Sequence, residues 1–193
     1  MSATFESAVM AAKECDTPVR VVDSGTIAMG LGFAVISGAE AADRGADADA
    51  VARVIEDRAR ASSVFFYVDT LEYLRRGGRI STARAAVGQA LKVKPLLQVV
   101  DGHVSPLEQV RTAGRALGRL EELAVAAAGS DEVDIAVQHL ASPDRASALA
   151  ARLRDRLPRA QVVECPVGGV VGAHVGPGMV AVVVAPRAGG AGP

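Results

Sequence analysis

From Val64 onward the chain alternates short apolar runs with amphipathic stretches, and each change of period marks a new element. Val64-Phe65-Phe66-Tyr67-Val68 is the most aromatic run and predicts a strand. Asp69-Thr70-Leu71-Glu72 has the form of a helix cap, and Gly77-Gly78 stops the short helix that follows. Ser81 is a cap for another helix, with Ala83, Ala86, Val87, Ala90 and Leu91 on its inner face, ending before Pro95. Two apolar runs within 96–110 flank Asp101-Gly102, the favoured chemistry of a tight hairpin turn. The pattern then predicts a helix over 113–128, a strand over 133–138 and a helix over 144–157 with Ser142 as cap and Pro143 at its first position. Strands over 161–164 and 179–185 complete this half.

The front of the chain reads differently. Residues 2–12 predict a helix with Phe5, Val9 and Ala12 on one face, ended by Pro18. Residues 19–22 predict a strand entering the turn Asp23-Ser24-Gly25. Residues 27–42 are apolar almost all round, with Gly30, Gly32 and Gly38 spaced through them, which predicts a buried helix in close contact with other backbone. Gly45 stops it, and Asp47 caps a helix with Val51, Val54 and Ile55 facing inward. The expected architecture is therefore α/β in two domains, with strand–helix alternation over 1–62, a mixed sheet over 63–186 and a disordered tail over 187–193.

Composition narrows the function classes. Half of the 193 residues are hydrophobic but only 3% are aromatic, so Val, Leu, Ile and Ala must build the core. A formal net charge of −1 supplies no field to gather nucleic acid or an anionic membrane. Cys15 and Cys165 have no metal or redox spacing and read as buried small hydrophobes in a reducing compartment. No basic-then-apolar leader and no run of membrane-spanning length is present, which predicts a cytoplasmic protein without stable membrane insertion.

Several segments, in order, resemble the DegV family. Val22-Asp23-Ser24 with Met29-Gly30-Leu31-Gly32 is similar to its "V-D-S…M-G-L-G" block. The run Asp69-Thr70-Leu71-Glu72-Tyr73-Leu74-Arg75-Arg76-Gly77-Gly78-Arg79-Ile80 resembles its most recognisable signature. Lys94-Pro95-Leu96-Leu97, Pro106-Leu107-Glu108 and Val110-Arg111-Thr112 resemble its hairpin region, and Gly172 to Gly178 its "G-x-H-x-G-P-G" loop. The resemblance implies an N-terminal parallel α/β domain, here incomplete, and a C-terminal α/β domain with a mixed sheet. It also implies a long-chain fatty acid held in the cleft between them, no other cofactor and no metal. The family's carrier presents that acid to a separate fatty-acid kinase and catalyses nothing itself.

The resemblance assigns candidate residues as well. Ser2 and Thr4 match the hydroxyl pair of the family's "S-G-T" segment, which grips the carboxylate, with Ala3 in the place of glycine. A helix start with spare N–H groups and hydroxyls suits an anion, although the same residues also read as plain helix caps. His174, in the glycine-rich loop, matches a histidine near the head group, and an imidazole can donate to a carboxylate. Arg79 is expected to support the head-group end, and Arg111 to face a partner or the cleft edge. Arg75, Arg76, Arg79 and Arg84, with Lys92 and Lys94 beyond, form the densest basic stretch, ordinarily a solvated face. His103, in the hairpin turn, and His139, at a strand end, carry no assignment, and Phe33, Phe65 and Phe66 are candidates for lining an acyl tunnel but read better as ordinary core.

Two rival readings remain. A serine hydrolase would use Ser24 or Ser81 with His174, but no G-x-S-x-G elbow is present, and no phosphate-cradling G-x-x-x-x-G-K-[ST] run occurs either. A single-strand nucleic-acid binder would interleave aromatics with its basic residues, and only Tyr73 lies in that stretch. Because the family's first strand and first hydroxyl loop are not found before Met1, the chain is expected to be an N-terminally truncated form, through a misplaced start or decay. Its helix around 27–35 would then be left exposed, and its solubility or ligand affinity reduced.

Overall fold

A computed structural model of the chain describes residues 3–80 and 93–187. Ser2, Ser81, Arg84, Lys92, the helix expected after Ser81 and the tail beyond Arg187 lie outside the described residues. The elements in chain order are α1 (Thr4–Ala12), α2 (Met29–Asp43), α3 (Ala48–Ala61), β1 (Ser63–Tyr67), α4 (Glu72–Arg76), β2 (Lys94–Val100) and β3 (His103–Val110). There follow α5 (Ala113–Ala128), β4 (Val133–His139), α6 (Pro143–Arg156), β5 (Gln161–Pro166), α7 (Gly169–Val175) and β6 (Val180–Pro186). The protein is thus an α/β fold around one mixed sheet of order β3-β2-β1-β6-β4-β5. Only β4 and β5 pair in parallel; the other neighbours are antiparallel.

Local chemistry accounts for most boundaries. Asp101 (φ 48°) and Gly102 (φ 73°) both adopt left-handed backbone, as a two-residue turn between twisted strands demands. Asp47 Oδ1 accepts from Ala50 N at 2.7 Å, and Thr112 Oγ1 accepts from Arg115 N at 3.2 Å, capping α3 and α5. Ser142 differs from the expected cap: its side chain makes no capping bond, and its backbone N–H instead donates to His139 Nδ1 at 3.3 Å.

The central strands are apolar on both faces, so both faces must be covered. Tyr67, Leu96, Ile135, Val137 and Val182 pack against Ala116, Leu120 and Ala124 of α5 and Leu149 and Leu153 of α6. On the opposite face, Phe66, Val68, Leu97 and Ala181 meet Leu74 of α4 and Val175 of α7. Val64, Ala136 and Val183 meet Phe33 of α2 on that same side. Helix α3 packs on α2, where a Cβ at Gly38 would lie 2.5 Å from Ile55 Cγ1. The glycine therefore makes room for a side chain, where approach to backbone was expected.

Three expectations, two of them for the front of the chain, are corrected. Among the described residues 3–62 there is no strand, so the predicted alternation is not present, and residues 19–22 run as irregular chain. A strand needs a neighbour for its N–H and C=O groups, and no described strand lies beside this segment. Helix α2 is not buried all round: Gly30, Phe33, Ala34, Gly38 and Ala41 are buried, while Leu31, Val35 and Ile36 are exposed. Neither cysteine is buried, Cys15 being exposed and Cys165 half-buried on the edge strand β5.

Two polar anchors fix the covering elements. Arg58 of α3, 7% exposed, pairs with Asp134 of β4, whose other oxygen accepts from Arg187 at 2.6 Å. Burial pushes the Arg58 guanidinium down from its ordinary range, against the opposing pull of the Asp134 charge and hydrogen bond. At the end of β1, Asp69 pairs with Lys94 at 2.6 Å and approaches Arg145 to 3.8 Å. Arg145 donates in turn to the hydroxyl of fully buried Tyr67, which burial, and then the Asp69 charge, pushes above its usual range.

Removing the carboxylate of Asp134 strands a buried guanidinium, so Asp134→Asn is expected to lower the unfolding free energy by about 3–5 kcal/mol. The urea midpoint reads this, and a midpoint equal to the parent's would contradict the anchor. Gly178 has φ +89°, and a Cβ there would lie 2.1 Å from Asp69 Oδ2. Gly178→Ala is therefore expected to cost more than about 1 kcal/mol by the same measurement.

Candidate ligand-binding site

The two faces of the sheet are not covered equally. Between the face carrying Val64, Phe66 and Ala181 and the front of the chain lies a cavity of about 660 Å³. Its floor is Val64, Phe66, Val99, Met179 and Ala181; its sides come from the start of α1, residues 21–28, α7 and the β2–β3 turn. This size and apolar floor are those of a small-molecule site.

Polar groups enter at a few places. Thr4 and Glu6 come from the first turn of α1, Arg79 from the loop after α4, and His174 from the last turn of α7. The ring of His174 lies against Gly77, where a Cβ would sit 2.0 Å from Nδ1, so glycine is required for the approach. Arg79 Nη1 donates to the carbonyl of the same Gly77 at 2.6 Å. One glycine thus brings the imidazole and the guanidinium to the same end of the cavity. His174 Nδ1 is buried without a hydrogen-bond partner, an arrangement that costs free energy unless a ligand or water completes it.

A second group of polar residues was not singled out from sequence. Thr26 lines the cavity, and its hydroxyl is likewise buried without a partner. Gln138, 4% exposed, accepts from Met29 N at 3.1 Å and so fixes the start of α2 over the sheet. Ala28, just before α2, has φ 56°, a conformation that costs a residue with a Cβ on the order of 1–3 kcal/mol. His103 also lines the cavity, bonded through Nδ1 to Asp101 O at 2.7 Å. The hydroxyl-rich run Asp23-Ser24-Gly25-Thr26 ahead of a glycine-spaced helix was the available signal for Thr26. Gln138 and His103 had none, because only the sheet register brings them to this face.

Thr4, Arg79 and His174 therefore line one cavity, as expected of one site, while Ser2 lies outside the described residues. Arg111 is exposed in the turn after β3 and is not among the lining residues. Part of the basic stretch is paired where it is described: Arg75 and Arg76 share the single carboxylate of Glu72, at 2.7–2.9 Å, and Lys94 pairs with Asp69. Hydrogen bonds from Arg75 first, then Arg76, hold the Glu72 carboxyl below its usual range. Phe66 contributes to the floor, whereas Phe33 and Phe65 pack in the core. Ser24 Oγ donates to Thr26 O at 3.5 Å, a backbone carbonyl and not His174. Among the described residues no cluster of three His, Cys, Asp or Glu side chains forms a metal site, and no helix is long and apolar enough to cross a membrane.

Comparison with known proteins places this geometry. A DegV domain-containing protein of Streptomyces coelicolor is 56% identical over 188 residues, covering 97% of this chain and 67% of its own. The crystal structure of DegV from Bacillus subtilis, a fatty acid binding protein, matches with TM-score 0.87 at 30% identity, covering 96% of this chain and 67% of that one. A DegV family protein from Thermus thermophilus, solved for its fatty acid binding, matches with TM-score 0.89 at 29% identity over 96% of this chain and 67% of that one. The chain thus spans about two thirds of the length of these relatives. The family model described as "Uncharacterised protein, DegV family" matches residues 1–187, and the chain belongs to the DegV family.

Proposed function

We propose that the chain binds one long-chain fatty acid in the cavity, with the carboxylate at the Arg79–His174 end and the acyl chain along the sheet. The observation that carries this reading is an apolar floor together with Arg79 and His174, which Gly77 brings close to each other in the cavity lining. Each methylene removed from water contributes about 0.8 kcal/mol, so a long chain needs few polar contacts beyond those that orient its head. Arg79 supplies fixed positive charge, His174 a donor, and Thr4 a hydroxyl at a helix start. Relatives of the same fold carry the description fatty acid binding, which supports the ligand class.

Within this reading the chain is a carrier: it holds and orients the acid and performs no bond-making step. Following the family resemblance, the exposed carboxylate end is offered to a separate fatty-acid kinase, and Arg111 is a residue for that contact or for the cleft edge. A hydrolase using Ser24 has less support, since Ser24 Oγ is bonded to Thr26 O.

Titration of delipidated protein with palmitate or oleate tests the reading, with saturation at one acid per chain expected. His174→Ala is expected to weaken binding by about 1.5–3 kcal/mol, one charge-assisted hydrogen bond, with an unchanged circular dichroism spectrum. Unaltered affinity in the folded variant would remove His174 from the head-group site. Purified protein with fatty acid and ATP is expected to release no phosphate; turnover that copurifies with the chain contradicts the carrier role.

A further inference from the structure

We propose that the β2–β3 turn, through Val99 and Val104 and the contact of Gly102 with Gly25, is the stop against which acyl-chain length is measured. This rests on the fatty-acid reading of the cavity and assigns the residues that set which acids it retains.

The sheet register supplies the geometry. Val180 pairs with Tyr67, which brings Met179 level with Val68, at the end of β1 from which the chain runs on toward Arg79. Phe65 pairs with Gln98, so Val99 lies beside Val64 and Val100 beside Ser63, at the opposite end of β1. Of the lining residues, Met179 lies at the first of these levels, with Val175 of α7 in the same apolar cluster, and Val99 and Val104 lie at the second. Val68 and Val64 are four residues apart along β1, roughly 13 Å at about 3.3 Å per residue, and the tip of the β2–β3 turn lies beyond that level. A ligand anchored by its head beside Gly77 therefore has the β2–β3 turn as the wall for its far end.

That wall is built closely. Val99 and Val104 are cross-strand partners, so their side chains share the cavity face. Beyond them the tip meets residues 23–26: a Cβ at Gly102 would lie 3.7 Å from Gly25 O, and one at Gly25 3.9 Å from Gly102 N. A Cβ at either position would make only ordinary van der Waals contact with the other glycine; the positive φ values, +58° at Gly25 and +73° at Gly102, are what favour glycine here. Asp101 and His103 flank the contact, so a longer chain would have to leave an apolar trough and pass polar groups. A shorter one would leave the space beside Val99 and Val104 unfilled.

The test is competition. Delipidated protein is incubated with an equimolar mixture of saturated acids from lauric to arachidic, and the retained acids are quantified by mass spectrometry. Val104→Phe is expected to disfavour the longest retained acids on the order of tenfold, the effect of returning about two methylenes to water. Val104→Ala is expected to shift retention toward longer acids, and it keeps the test open if the phenylalanine variant does not fold. A retained profile unchanged in folded variants of both kinds overturns the length stop while leaving fatty-acid binding intact. Retention of no acid by the parent protein overturns the underlying reading, and the stop with it.

Discussion

A sheet whose central strands are apolar on both faces cannot leave either face in water, and the rest of this structure follows from how each is covered. On one face α5 and α6 fill the space with interlocking Leu and Ala side chains, down to full burial of Leu120 and Leu149. On the other, α2 and α3 cover one end of the central strands and α4 and α7 the other. Between them an apolar trough remains, floored by Phe66 and Ala181. In the proposed reading, an acyl chain lying along that trough would gain both dispersion contacts and hydrophobic burial.

The elements bordering the trough are held by polar contacts that are few and specific. Arg58 reaches into the sheet to Asp134 and ties α3 to β4, and Gln138 holds the start of α2 through Met29 N. At the head end, glycines allow side chains to sit where a Cβ would exclude them. Gly77 accommodates His174, and Gly176, at φ +74°, accommodates the ring of Tyr73, 2.3 Å from where a Cβ would be. The glycine-rich stretches around the histidine thus have a packing cause.

Sequence reading located the elements of the second half because their signals are local. Asp101-Gly102 acts within a few residues, and β3 and the helix over 113–128 formed where expected, whereas the reading missed α7, seen in sequence as a glycine-rich loop. It failed where the outcome depends on distant neighbours. The β-branched residues 19–22 have strand propensity but no adjacent strand, and propensity alone does not supply hydrogen-bond partners. Helix α2 has too little polar patterning to reveal which side faces the sheet, so its pattern alone did not mark Leu31, Val35 and Ile36 as the exposed residues. Family resemblance pointed to Thr4, Arg79 and His174 as residues of one site. Thr26, Gln138 and His103 come from three separate segments that only the fold brings together.

The account's central claim is that an acyl chain lies along the sheet face bearing Phe66, with its far end at the β2–β3 turn. Photolysis of a bound fatty acid carrying a diazirine at its terminal carbon, followed by peptide mass spectrometry, tests this most directly. The account predicts adducts on the segments containing Val99 and Val104, or on the facing residues 23–26, and their loss on competition with unlabelled acid. Adducts concentrated near His174, or on the α5–α6 face of the sheet, would contradict it.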